Sequence, residues 1–126
     1  MKKFFVILSF VLLITIAIPS TAMAATIESK QIISVTNGSH NFKDDWSAVA
    51  KTTYAGVECR LSYGFNTFLT NEDTATSYTI GNGHRSRLKN DNGTHYGSWM
   101  YANEFSDIEV RHKGSRIYYY MDWRTK

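Results

Sequence analysis

Apolar and polar residues alternate along much of the chain, as they do in β-strands that bury one face. The clearest run extends from Val57 to Phe65, where every second residue is apolar and charged or small residues stand between them. Cys59 belongs to the apolar set of this run, so we expect its thiol to point into the core. Because Cys59 is the only cysteine, the alternative is an intermolecular disulfide.

Two further alternating runs, residues 108–111 and 116–123, lie near the C-terminus. A three-residue connection that contains glycine joins them, which predicts a hairpin. Neighbouring side chains of a strand point to opposite faces. We therefore expect Tyr119 in the core, and Tyr118 and Tyr120 on the other face of the strand.

Turn-forming residues separate the remaining runs. Asn-Gly pairs at 37–38 and 92–93 favour tight turns, because both residues tolerate positive φ. The other strand candidates are residues 32–36, 47–54, 77–80, 85–89 and 94–102. Short strands spaced by about ten residues predict an all-β domain, built as a small antiparallel β-sandwich or barrel. This domain would span residues 25–126, with 25–31 as a loose tail.

The N-terminal residues have the composition of a signal peptide. Lys2 and Lys3 precede an apolar stretch from Phe4 to Ile18, and Ala22-Met23-Ala24 supplies a small-x-small cleavage site. The apolar stretch is shorter than the roughly 20 residues that a bilayer span needs. We therefore expect residues 1–24 to be removed and the mature chain to be secreted without a transmembrane segment.

Removal of this segment changes the charge that bears on function. The formal net charge is +3, and without Lys2 and Lys3 the chain keeps 12 basic against 11 acidic residues, a charge of +1. So small an excess does not favour nucleic acid as a partner. The positive charge lies in the second half, where residues 84–126 carry 8 basic and 5 acidic groups. An anionic partner is therefore expected to approach that half.

Residue patterns typical of enzymes and metal sites are missing. Zinc sites usually show paired ligands a few residues apart, whereas the four histidines are widely spaced and none is near Cys59. The sequence has no Gly-x-Ser-x-Gly elbow and no His-Glu-x-x-His motif. We therefore expect neither catalysis nor a cofactor nor a metal site, although weak calcium binding by the Asp- and Asn-rich loops stays open.

Two surfaces remain as candidates for binding. Alternate residues of the run 85–89 are basic and share one strand face, for which an edge strand protected by charge is the structural alternative. The other set, which includes His95, is aromatic and lies opposite the main core; its alternative is a second packed layer of the sandwich. The candidate binding residues are Arg85, Arg87, Lys89, Trp99, Tyr101, Tyr118 and Tyr120.

The segments Gly97-Ser98-Trp99 and YYYMDW at 118–123 resemble two groups of small secreted proteins of Gram-positive bacteria. One group comprises uncharacterised β-rich proteins with an aromatic C-terminal strand, and membership implies export alone. The other is the lactococcin 972-like bacteriocins, small antiparallel sandwiches with a Gly-x-Trp and a terminal Tyr-Tyr-x-x-Trp-like run. The Trp-Ser-His-Gly start of that family is represented here by Trp46-Ser47 alone. The resemblance carries no functional residue over to this chain.

These observations predict a secreted, non-catalytic protein, monomeric or weakly associating, that binds a partner at the cell envelope. The first hypothesis is an interaction protein with a bacteriocin-like role as one form of it. The alternative is a binding module for cell-wall glycans or polyanions.

Overall fold

Eight β-strands and no helix make up residues 26–124, the part of the chain that the computed structural model describes. The strands are β1 (Ile27–Thr36), β2 (Trp46–Tyr54), β3 (Val57–Asn66), β4 (Glu72–Thr79), β5 (Gly83–Asn90), β6 (Gly93–Tyr96), β7 (Ser106–Arg111) and β8 (Arg116–Arg124). Sheet I has the order β1-β8-β5-β6 and sheet II the order β2-β3-β4-β7, with every pair antiparallel. The predicted all-β sandwich is confirmed.

The predicted signal peptide, residues 1–24, lies outside the described residues. Within residues 26–124, no helix has the length and apolar character required to cross a bilayer.

The core lies between the two sheets and is formed by the residues that alternation directed inward. Leu61 of β3 and Tyr119 and Met121 of β8 have no exposed surface. The rings of Tyr63 and Tyr119 are 5.1 Å apart and pack across the two sheets. Large aromatic side chains bury much area for each residue that is ordered, which suits so short a chain.

Cys59 is a free, fully buried cysteine of β3. It lies opposite Thr79 of β4, and its Sγ is 3.5 Å from Thr79 Oγ1. The prediction that its thiol points inward is confirmed. In the folded chain this thiol is not accessible to a second molecule.

The predicted hairpin between the last two runs is wrong. β7 pairs with β4 in sheet II, whereas β8 pairs with β1 and β5 in sheet I. The connection between them therefore crosses from one sheet to the other. Within it Gly114 has a φ of 101°, and Lys113 O accepts a 3.0 Å hydrogen bond from Asp91 N. Alternation identifies a strand and its buried face, but it does not select the partner strand.

The two Asn-Gly pairs have different outcomes. Residues 37–38 form a turn, but β1 and β2 lie in different sheets, so the turn closes no hairpin. Residues 92–93 do belong to a hairpin, in which Asn90 of β5 pairs with Gly93 of β6. Gly93 has a φ of 117°, while Asn92 donates its N–H to the Asn90 side chain at 2.9 Å. The positive φ is therefore taken by Gly93.

Three predicted boundaries are wrong. The strand predicted for residues 77–80 begins at Glu72, five residues earlier. The expected loose tail, residues 25–31, belongs to β1 from Ile27 onward, because Ile27 pairs with Arg124 of β8. The expected strand 94–102 ends at Tyr96. Residues 97–105 form a strap over the end of the sandwich, which touches sheet I again through a single bridge between Met100 and His84 of β5. This strap carries two of the candidate binding residues.

Candidate functional site

The basic run of β5 is not an edge strand. β5 lies between β8 and β6, so the alternative explanation for its charges, protection of an edge, is wrong. Arg85 and Arg87 face the outer side of sheet I, where they stand beside Asp122 and Tyr120 of β8. Charge is therefore concentrated at an interior position of the sheet surface.

One buried carboxylate organises both arginines. Asp122 is 1% exposed, and its Oδ2 accepts a 2.8 Å hydrogen bond from Arg85 Nε. Its Oδ1 accepts a 2.6 Å hydrogen bond from Ser29 Oγ of β1 and lies 3.3 Å from Arg87 Nε. The Arg87 contact is an ion pair without the alignment of a hydrogen bond. A buried charge with several polar partners fixes the geometry of the groups that pair with it.

The guanidinium groups also lie over aromatic rings. Arg85 Cζ is 4.3 Å from the centroid of Tyr96 and 4.5 Å from that of Trp99. Arg87 Cζ is 4.1 Å from the centroid of Tyr120. Cations within about 6 Å of a ring face are attracted by its quadrupole, so each ring holds its guanidinium in place.

Two further arginines extend this arrangement toward both ends of β8. Arg124 Cζ lies 4.2 Å from the ring of Trp99, so Trp99 contacts two guanidinium groups. Arg116 Cζ lies 6.0 Å from the ring of Tyr118 at the opposite end. Rings and cations thus share the whole length of the strand.

The two surfaces proposed from the sequence are therefore one surface, which we call the cation–aromatic face. Its members are Arg85, Arg87, Lys89, Tyr96, Trp99, Arg116, Tyr118, Tyr120, Asp122 and Arg124. Five of these are basic and one is acidic. Tyr118 and Tyr120 are only half-buried, so the expected alternative of a second packed layer does not describe them.

Sequence reasoning missed four members of this face and included two residues, His95 and Tyr101, that do not belong to it. Arg116, Asp122 and Arg124 alternate in step with Tyr118 and Tyr120 along β8, and this period of two was the signal that could have found them. Tyr96, the fourth, lies opposite Arg87, whereas His95 lies opposite Leu88 of the core and so shares the inner side of the sheet.

Tyr101 stands beside the cation–aromatic face rather than on it. It is 81% exposed and borders a cleft of about 440 Å³ at the end of the sandwich. Gly83 and Arg124 line the same cleft, and a smaller recess next to it reaches Trp99. The strap therefore contributes Trp99 and Tyr101 to the recess and Tyr101 to the larger cleft beside it.

A serine and a histidine lie at hydrogen-bond distance inside the sandwich. Ser77 Oγ is 2.7 Å from His84 Nδ1, and His84 Nε2 donates to Glu104 O at 2.9 Å. Ser77 and His84 are fully buried, and this burial lowers the pKa of His84. With Nε2 protonated, Nδ1 accepts from Ser77, so the hydroxyl is held as a donor in the interior. The pair joins the strap to the core.

A second polar cluster holds β4 and β5 to the end of β7. Asp73 is fully buried. Its Oδ2 accepts a 2.9 Å hydrogen bond from Asn90 Nδ2, and its Oδ1 lies 2.8 Å from His112 Nδ1. Burial raises the pKa of Asp73, and the contacts with Asn90 and His112 act in the opposite direction. In the part of the chain that the structure describes, no three His, Cys, Asp or Glu side chains are grouped to hold a metal ion.

Comparisons of the chain with protein-family models, with curated proteins and with solved structures found no match. The resemblances based on residues 97–99 and 118–123 therefore stay predictions.

Proposed function

We propose that the protein is a non-catalytic binding protein of the cell exterior, and that its cation–aromatic face binds an anionic polymer of the cell envelope. One observation carries the proposal. Five basic side chains share a sheet face with a single acid, and that acid is almost fully buried between two of them.

The arrangement suits binding more than structural support. Stacking on rings and pairing with Asp122 order Arg85 and Arg87 before any partner arrives, which lowers the entropy cost of binding. A guanidinium stacked by its flat face keeps N–H groups at its edge, and these donate well to carboxylate or phosphate oxygens.

The spread of the cations favours a polymer over a small ion. Residues two apart on a strand are separated by about 6.6 Å, so Arg85, Arg87 and Lys89 form a regular row. Arg116 and Arg124 flank that row from the neighbouring strand. A repeating anionic chain can contact several of these cations at once, and weak single contacts then add to a useful affinity.

The proposed location outside the cell rests on the predicted signal peptide. The proposal that the protein is not catalytic rests on the lack of a recognisable catalytic motif in the sequence. A bacteriocin-like activity stays a prediction from the resemblance, and a growth-inhibition assay on related bacteria checks it.

Pelleting with purified cell walls tests the proposal. Lys89 and Arg116 are exposed, so Lys89→Glu with Arg116→Glu reverses charge on the face without touching the core. We expect at least about tenfold weaker pelleting, and weaker pelleting of the parent protein at high salt, because exposed charges are screened.

The matched control reverses the same amount of charge elsewhere. Lys43 lies in the β1–β2 connection and Lys51 on the outer side of sheet II, where it pairs with Glu58 at 3.8 Å. Lys43→Glu with Lys51→Glu should leave pelleting close to that of the parent protein. If the two double variants lost pelleting equally, net charge alone would explain the loss. Specific binding by the cation–aromatic face would then be contradicted.

A further inference from the structure

The cleft beside the cation–aromatic face has features of a preformed small-ligand site. It is bordered by the β4–β5 turn, by the strap and by the end of β8, with Gly81, Gly83, Tyr101 and Arg124 among its lining residues. Its volume is about 440 Å³, and it is a cleft open to solvent rather than an enclosed cavity.

The strap that carries Tyr101 is tied down by hydrogen bonds at several points. His84 and Met100 exchange backbone hydrogen bonds of 2.9 and 2.8 Å, and Asn103 N donates 2.8 Å to Thr79 O. Tyr101 N also donates a 3.1 Å hydrogen bond to Oε2 of Glu104, so the carboxylate of the strap is bonded to the strap's own backbone. The exposed phenol ring of Tyr101 therefore stands on ordered backbone.

Gly83 leaves the floor of the cleft without a side chain. A Cβ at this position would meet Arg124 Cβ at 3.7 Å and Met100 O at 3.8 Å, which are ordinary contacts. Gly83 does not have a positive φ, so its backbone does not require glycine. A side chain would fit here, and it would occupy space that the cleft now offers to a ligand.

The two aromatic rings at the cleft have different availability. Trp99 already contacts the guanidinium groups of Arg85 and Arg124, whereas Tyr101 has an open ring. Arg124 forms no ion pair with any acid of residues 26–124. Its guanidinium is oriented by Trp99 and retains donors for an anion.

From this geometry we infer that the cleft binds a sugar ring that carries a carboxylate, with the ring stacked on Tyr101 and the carboxylate paired with Arg124. This inference rests on the proposed function and deepens it, because it names the repeating unit that the anionic polymer presents. The flat apolar face of a pyranose suits an aromatic ring, and an arginine fork suits a carboxylate. A uronic acid and a muramic acid both supply this chemistry.

Titration with small sugars tests the inference on protein produced from the full 126-residue sequence. The probes are a glucuronate-containing disaccharide, an N-acetylglucosamine–N-acetylmuramate disaccharide, neutral diacetylchitobiose and acetate. We expect NMR shifts at the Gly83 amide and the Trp99 indole with one or both acidic sugars, and at least about tenfold weaker binding of diacetylchitobiose and acetate. The stronger acidic sugar identifies the source of the carboxylate.

Three variants separate the parts of the site. Gly83→Val fills the cleft without removing a ligand contact, and Tyr101→Ala removes the ring. Each variant should bind the acidic sugar at least about tenfold more weakly than the parent protein. Arg124→Gln should abolish the preference for acidic over neutral sugar. Phe68→Ala is the control, because Phe68 is 87% exposed at a loop that does not line the cleft, and it should bind like the parent protein.

Each contrary result has a distinct meaning. Equal binding of neutral and acidic sugars, or binding of acetate as tight as that of the sugars, overturns the inference. Unchanged affinity in Gly83→Val overturns it as well. If the parent protein pellets with cell walls but binds no acidic sugar at the cleft, only the inference fails. If the parent protein does not pellet with walls, the proposed function itself fails.

Discussion

Arg85 Nε donates a 2.8 Å hydrogen bond to Oδ2 of Asp122, the residue directly opposite it on β8. The pair spans the centre of the cation–aromatic face, and its acid is almost completely buried. Burial of a charge is tolerated when partners satisfy it, and here Arg85, Arg87 and Ser29 all do so. The acid thus belongs to the architecture of the face, while the arginines remain partly open to solvent.

Replacement of this acid should destabilise the protein. In Asp122→Asn the two guanidinium groups lose their counter-charge, and we expect the free energy of unfolding to fall by about 3 kcal/mol. Urea denaturation followed by tryptophan fluorescence measures the change. Asp107→Asn is the control. Asp107 is exposed on sheet II, where its Oδ1 accepts a 2.7 Å hydrogen bond from Thr76 Oγ1. This substitution should lower the free energy of unfolding by less than about 1 kcal/mol. Similar losses in both variants would contradict the organising role of Asp122.

The buried His84 should make stability fall in mild acid. Desolvation lowers its pKa in the folded state, so the unfolded chain binds a proton first, near pH 6.5. The stabilising contribution is thus complete above about pH 6.5 and decreases as the pH falls through the window between the unfolded and the lower, folded pKa. The difference in unfolding free energy between the parent protein and His84→Gln should shrink over this window. A pH-independent difference would show that His84 does not titrate in this way.

A side chain at Gly64 should damage the pairing of β2 with β3. A Cβ there would collide with the backbone oxygen of Trp46 and approach Ser47 Cα to 3.2 Å. We expect Gly64→Ala to lower the unfolding free energy by about 2 kcal/mol, measured by thermal and urea denaturation. At Gly38 a Cβ would meet only Thr36 Oγ1, at 3.7 Å, so Gly38→Ala should have little effect. If Gly64→Ala were as stable as the parent protein, β2 and β3 would have to lie further apart than they do in the structure.

Cys59 should be unreactive until the protein unfolds. Its side chain has no exposed surface, so an aromatic disulfide reagent should modify it at a rate limited by opening of the sandwich. Absorbance of the released thiolate measures that rate, with the urea-unfolded protein as the control for full reactivity. Rapid modification of the folded protein, or a disulfide-linked dimer on non-reducing gels, would contradict the buried position.

The elements that sequence could predict are those with a local signal. The run from Val57 to Phe65 and the inward position of Tyr119 follow from alternation alone, because the period of two is a property of the strand itself. The predicted hairpin of β7 and β8 failed because sheet membership depends on contacts that are distant in sequence. Each of these strands found its partners in the preceding part of the chain.

The same limit explains what was missed at the candidate site. Arg87 and Tyr120 were assigned to separate surfaces, yet register places them opposite each other. A lone acid within an aromatic run, such as Asp122, has no local mark that distinguishes a solvent-exposed charge from a buried one. Its burial arises only when β1, β5 and β8 assemble.

The strap over the end of the sandwich is held from within. His84 contacts Glu104 O through its ring, and Ser106 Oγ donates 2.7 Å to Ser98 O, so an imidazole and a hydroxyl in the interior set where Trp99 and Tyr101 stand. The positions of these two rings are therefore set partly by side chains in the interior of the sandwich. A laboratory selection that randomised the outer positions alone would leave these interior supports of the strap unchanged.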